Sequence, residues 1–171
     1  MNIGIRDISP DDAEAVVHLL NPIIAAKRYT VLTTPLTVEA ERTFIETFPE
    51  RGIFHVAVRE EDERIVGMQN VAPVSSYAAF SHVGEIGTFV DLAFLRQGIA
   101  RRLFGATFVA AQRKGYEKLS TFVRADNPGA LNTYLDQGFR AVGTAERHAK
   151  IGDTYLDEIV IEKWLEGGRE R

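Results

Sequence analysis

The run from Val90 to Arg101, Val-Asp-Leu-Ala-Phe-Leu-Arg-Gln-Gly-Ile-Ala-Arg, holds the strongest chemical signal in the chain. A strand enters a tight turn at Gly98, and the turn opens directly into a helix. The first amides of a helix have no partner inside it and lie at the positive end of its dipole. Such a turn therefore suits a phosphate or pyrophosphate. Glycine allows close backbone approach to an anion, and Arg96 and Arg101 add positive charge. Taken alone, one glycine before a helix is equally well a plain turn. A second stretch reads Asn-Pro-Gly-Ala-Leu-Asn-Thr-Tyr-Leu-Asp-Gln-Gly-Phe from Asn127 to Phe139, with Asn127 as a helix cap and Pro128 at the first helical position. The four histidines, His18, His55, His82 and His148, have no metal-ligand spacing, so no metal is expected. The chain has no cysteine, which excludes disulfides, thiolate metal sites and a cysteinyl acyl intermediate.

Several elements must position these residues. Ile3 to Asp7 alternates apolar and polar side chains and predicts a strand. Ser9-Pro10 then opens a helix with Ala13, Val16, Val17 and Leu20 on one apolar stripe. Asn21 to Leu36 reads as a connector, and Thr37 to Phe48 as a second helix ended by Pro49. Strands are predicted at Ile53–Arg59 and Arg64–Ala72, around the charged turn Glu60 to Glu63, and at Val83–Leu92 after the loop Pro73 to His82. The long helix runs from Gly98 to Lys114, with Gly115 just past its end. Leu119–Arg124, a short helix from Asn127 to Gly138, and strands at Phe139–Ala145 and Tyr155–Glu162 complete the pattern. Strands outnumber helices and several are sequence neighbours, so a mixed α/β sheet is expected rather than a doubly wound one.

Composition narrows the partners. At 171 residues the chain predicts one domain over 1–166, with a frayed tail at 167–171. Hydrophobic residues make up 45% and charged residues 26%, the mix of a folded domain rather than a disordered one. Lys and Arg number 20 against 24 Asp and Glu, a net charge of −4, which argues against a dedicated nucleic-acid binder. No apolar run approaches membrane-spanning length, and acidic residues stand where a signal peptide would need an apolar core. A cytoplasmic location without membrane or nucleic-acid partners is the expectation.

With both stretches quoted, the sequence resembles the GNAT acetyltransferase superfamily. Gln97-Gly98-Ile99-Ala100 matches the end of that family's pyrophosphate loop, with Leu95 in place of the usual first loop residue. Asn127, Tyr134, Gly138 and Phe139 match its second motif. Ser9-Pro10-Asp11-Asp12-Ala13, Thr34-Pro35, Lys150-Ile151-Gly152 and Leu156-Asp157 are similar to the phosphinothricin acetyltransferase-like subgroup. The resemblance implies a mixed, mostly antiparallel seven-stranded sheet flanked by about four helices and splayed between two central parallel strands. It implies acetyl-CoA as co-substrate and direct attack by a primary amine of a small molecule, an amino acid or amino-acid analogue among them. A protein or polyamine acceptor, or a non-catalytic acyl-CoA sensor, is the alternative. A homodimer is also implied.

The resemblance assigns roles residue by residue. Glu85 takes the position of a general base, and a protonated amine needs one. As an ordinary strand residue it would instead face solvent or pair with an arginine. Tyr134 takes the position of the group that protonates or hydrogen-bonds the departing thiolate; otherwise it is a core aromatic beside Ala130 and Leu131. Phe89 and Val90 offer backbone groups to the pantetheine arm, Arg96, Gln97, Gly98, Ile99, Ala100 and Arg101 form the pyrophosphate turn, and Asn127 contacts the arm. Tyr29, Thr33, Tyr77, His82 and Arg147 are candidates for the acceptor pocket, and Tyr77 with Phe80 favours an apolar or aromatic acceptor unless the two simply pack their loop. Relatives that acetylate amino-acid analogues usually carry an arginine in the loop before the Glu85 strand. Here neither Lys nor Arg occurs between Arg64 and Arg96, which leaves Arg28, Arg147 and Lys150 as cations for a carboxylate.

Overall fold

The computed structural model describes residues 1–166, so the tail expected at 167–171 lies outside the described residues. The chain begins with strand β1 (Ile3–Asp7) and a capped turn in which Asp12 accepts the Ser9 amide at 2.8 Å. Arg6 grips the same carboxylate with both guanidinium nitrogens, at 2.7 and 2.8 Å. Helix α1 (Ala13–Ala25) follows. It runs through Pro22 into the expected connector, because Ile23 and Ile24 continue the apolar stripe and are each only 2% exposed. Asn21 then closes the shortened connector by bonding both the amide and the carbonyl of Leu36, at 2.8 and 3.1 Å.

After α2 (Val38–Glu46) come β2 (Ile53–Arg59), β3 (Arg64–Pro73), β4 (Val83–Val90), α3 (Ile99–Arg113), β5 (Lys118–Arg124), α4 (Pro128–Leu135), β6 (Arg140–Ile151) and β7 (Thr154–Trp164). Both C-terminal strands are longer than the sequence pattern predicts, since β6 is largely exposed and gives no apolar alternation to read. The sheet has the order β1-β2-β3-β4-β5-β7-β6. Every neighbouring pair is antiparallel except β4 and β5.

That parallel pair is brief. Its register covers only Val83↔Lys118, Gly84↔Leu119 and Glu85↔Ser120. Beyond Glu85, β4 stays on β3 as far as Val90↔Gly67, while β5 stays on β7 as far as Arg124↔Glu158. The two arms diverge, and the facing edges carry backbone groups without a strand partner. Each face of the sheet has its own core. Ala13, Leu20, Ile24, Phe54 and Met68 pack together on the α1–α2 side. Phe104, Ile86, Leu119, Tyr134 and Phe139 pack on the α3–α4 side. Burying each of the larger ones stabilises the fold by roughly 1.5–3 kcal/mol.

Candidate active site

A cavity of about 760 Å³ occupies the split and extends over the α1–α2 face of the sheet. Side-chain alternation along β4 sends Ile86 and Thr88 toward α3, and Glu85, Gly87 and Phe89 toward α1 and α2. Glu85, Gly87, Thr88 and Phe89 line one arm of the opening; Thr121, Phe122, Val123 and Arg124 line the other. Glu85 therefore stands where the parallel pairing ends, exposed to the cavity.

Tyr134 reaches the opening from α4. Asn127 caps that helix by accepting the Ala130 amide, at 3.2 Å, and Pro128 starts it. The buried ring packs edge-on against Phe104 and Phe139, at centroid distances of 5.3 and 5.1 Å. Its hydroxyl donates to Thr88 Oγ1 at 2.9 Å, and Gln69 Nε2 donates to the same oxygen at 2.9 Å. Loss of water pushes the Tyr134 phenol up to about 12, against the opposing effect of the Thr88 contact. Tyr134 is thus a core aromatic and also a protonated hydroxyl in the cavity wall.

The predicted anion turn follows β4. Asp91 caps a short helical turn by accepting the Ala93 amide at 2.9 Å, and its other oxygen pairs with Arg64 at 2.6 Å. Arg59 and Arg64 both lie over the Phe94 ring, at 4.9 and 5.1 Å, and pin the turn to the sheet. Arg96 and Gly98 adopt left-handed backbone conformations, with φ of 60° and 77°. The first helical bond of α3 runs from the Arg102 amide to the Gly98 carbonyl, at 3.2 Å, which leaves the amides before it without a helical acceptor. Apart from its two chain neighbours, no atom of the described residues lies within 4 Å of where a Cβ on Gly98 would sit. Open space above free amides at a dipole's positive end fits the pyrophosphate of acetyl-CoA, and the unpaired edges of β4 and β5 fit its pantetheine arm.

Several residues named from sequence reach the cavity and others do not. Glu85, Phe89, Asn127, Tyr134 and Tyr29 line it. Val90, Arg96, Gln97, Ile99, Ala100 and Arg101 lie beyond it, in and around the turn. Four of the five acceptor candidates lie outside the lining. Thr33 is exposed beyond Leu32, and Tyr77 is 74% exposed in its loop. His82 stacks on Trp164 at the closed end of the β4–β5 pair, and Arg147 covers the Tyr155 ring at 4.1 Å. Phe80 is likewise absent from the cavity wall, whose aromatic side chains are Tyr29, Phe44, Phe48, Phe89, Phe122 and Tyr134.

Arg124 and Glu158 also line the cavity and were not singled out from sequence. The Arg124 guanidinium bonds Asp126 with Nε and Nη2, at 2.8 and 2.7 Å, and bonds the carbonyls of Lys27 and Thr30 with Nη1, at 3.1 and 2.9 Å. It thereby ties the end of α1 to β5. Glu158 is the acidic member of an otherwise apolar alternation, Leu156, Glu158, Val160, and that mismatch was a readable signal.

The model of the acetyltransferase (GNAT) family matches residues 23–139. A phosphinothricin N-acetyltransferase from Streptomyces coelicolor is 24% identical over 165 residues, covering 95% of this chain and 96% of that protein. A GNAT superfamily phosphinothricin acetyltransferase from Sinorhizobium meliloti, solved in complex with AcCoA, superposes with a TM-score of 0.87 at 15% identity, over 96% of this chain and 89% of that one. A ribosomal-protein-alanine N-acetyltransferase from Brucella melitensis gives a TM-score of 0.86 at 22% identity, over 95% and 99%. At these identities the structural likeness shows the fold, and the family match spans well over half of the sequence. The split sheet, the turn before α3 and this match agree: the chain belongs to the GNAT family of acetyltransferases.

Proposed function

We propose that this protein is an N-acetyltransferase that moves the acetyl group of acetyl-CoA to the primary amine of a small molecule by direct attack in a ternary complex. The observation that carries the reading is the pairing of Glu85 and Tyr134 in one cavity, at the point where β4 and β5 part. When bound, acetyl-CoA supplies a thioester carbonyl as electrophile. The Gly98 turn with Arg96, Gln97, Ile99, Ala100 and Arg101 holds the pyrophosphate, while Phe89, Val90 and Asn127 hold the arm. Glu85 accepts a proton from the acceptor's ammonium, through water, and frees the nitrogen lone pair. As the new C–N bond replaces the C–S bond, the nitrogen gives up its second proton, and the Tyr134 hydroxyl either hydrogen-bonds the departing sulfur or passes it a proton that this one replaces, so that CoA leaves as its thiol. Burial keeps that hydroxyl protonated throughout the neutral range. Amino acids and their analogues enter this reading through resemblance alone. The same resemblance implies two copies in solution, which sedimentation reads directly.

The test is CoA release from acetyl-CoA against phosphinothricin, methionine sulfone, methionine sulfoximine, free amino acids, spermidine and a peptide amine. Turnover is expected, with kcat falling roughly 100-fold in Glu85→Gln while acetyl-CoA affinity changes little. Slow turnover that survives unchanged in both Glu85→Gln and Tyr134→Phe would favour a sensor domain instead.

A further inference from the structure

The charges around the acceptor half of the cavity do not match an amino acid. Among the described residues, Arg124 is the single cation in the cavity wall. Its guanidinium is already neutralised by Asp126 and bonded to two carbonyl oxygens. Of the cations that the sequence offered for a carboxylate, Arg28 lies over Tyr29 at 5.7 Å, while Arg147 and Lys150 lie over Tyr155 at 4.1 and 5.1 Å. None of the three lines the cavity.

The wall carries two carboxylates, Glu85 and Glu158. Glu158 is only 8% exposed and faces Arg124 across the β5–β7 register, while the Arg124 guanidinium directs its hydrogen bonds to Asp126 and to two carbonyls. Nε2 of His148 lies 3.9 Å from Glu158 Oε2, at the outer limit of an ion-pair contact. A largely buried carboxylate that borders the cavity gains from a further cation placed there. Tyr29, Phe44, Phe48 and Phe122 add ring faces that attract an organic ammonium or guanidinium. The registers Glu85↔Ser120 and Arg124↔Glu158 place Glu158 four residues further along β5 than Glu85, roughly 13 Å of strand.

We propose that the acceptor carries a second cationic group, held by Glu158, at the far end of a chain from the reacting amine, and carries no carboxylate. This rests on the acetyl-transfer reading and names its substrate class: a diamine, polyamine or guanidinoalkylamine. An α-carboxylate would meet two carboxylates and no free cation, whereas a second ammonium would meet Glu158.

The test compares acceptors that differ in one group, by CoA release at saturating acetyl-CoA with the full chain: agmatine against arginine, cadaverine against lysine, and cadaverine and spermidine against pentylamine. Each decarboxylated amine is expected to exceed its parent amino acid about 100-fold in kcat/KM. The dications are expected to exceed pentylamine about 10-fold. Glu158→Gln should erase that second preference through KM, and Glu158→Asp should retain part of it. An unchanged melting temperature and acetyl-CoA affinity in both variants establish that they fold. Arginine or phosphinothricin used as well as agmatine, or a dication preference that persists in Glu158→Gln, overturns the proposal and leaves acetyl transfer standing. No turnover of any amine, with acetyl-CoA still bound, overturns both.

Discussion

Tyr134 belongs at once to the core and to the cavity wall, where the proposed chemistry places its hydroxyl. Its ring seals the α3–α4 core, and its hydroxyl crosses to Thr88 on the opposite arm of the split. Tyr134→Phe keeps the packing and removes the proton, so kcat should fall roughly 100-fold with little change in melting temperature. A phenol pushed up to about 12 keeps its proton across the working range. The kcat–pH profile of the wild type is accordingly expected to show no descending limb from this group below pH 10. A limb near pH 8–9 that disappears in Tyr134→Phe would contradict that role.

At the scale of elements, two junctions make separate predictions. The turn before α3 needs a left-handed residue with free space above it, and Gly98 meets both needs. Gly98→Asp should weaken acetyl-CoA binding at least about 100-fold by placing a carboxylate in the anion site, at a backbone cost of only about 1–2 kcal/mol. Equal affinity by calorimetry would remove the turn from the site. The second junction joins β1, β2 and α3, where buried His55 meets Thr107 Oγ1 at 2.9 Å and Asp7 at 3.4 Å. Burial holds the imidazole below its ordinary 6.5, with Asp7 opposing. The unfolded chain therefore binds a proton that the folded chain resists, and stability falls as pH drops below about 6.5. Melting temperatures between pH 7.5 and 5 should show this slope, and His55→Gln should flatten it; identical slopes in the two proteins would exclude His55 as the cause.

For the whole molecule, the split sheet is the controlling feature. Two cores on opposite faces hold the arms apart, and β4 and β5 meet through three residue pairs only. A ligand bound along both arms supplies the missing connection. Acetyl-CoA at about 100 times its Kd should stabilise the fold by about 2.7 kcal/mol, which raises Tm by roughly 5–10 °C for a chain of this size. The same concentration should raise the Tm of Gly98→Asp by no more than about 1–2 °C. A wild-type Tm indifferent to acetyl-CoA would count against the split as its site.

Much of this was legible in the sequence because it depends on local rules. The capped turn at Ser9, the Asn127 cap, the glycine before α3 and the strand carrying Glu85 each follow from propensity, capping or period-two alternation over a few neighbouring residues. Alternation also assigns a face: it places Glu85 opposite Ile86 without any knowledge of the sheet. It does not say which loop folds over which end of a strand. His82 lies three residues from Glu85, yet about 10 Å down the strand, where pairing with β5 is closed rather than open. Tyr77 belongs to a loop, and Arg147 to the irregular stretch of β6 between Ala145 and Ala149, and the direction of each depends on packing elsewhere. Arg124 and Glu158 are distant in sequence and become neighbours only through the β5–β7 register. The sequence by itself determined the elements and the family. Tertiary structure decided the charge of the cavity wall, because that charge is a sum over residues that only the fold brings together.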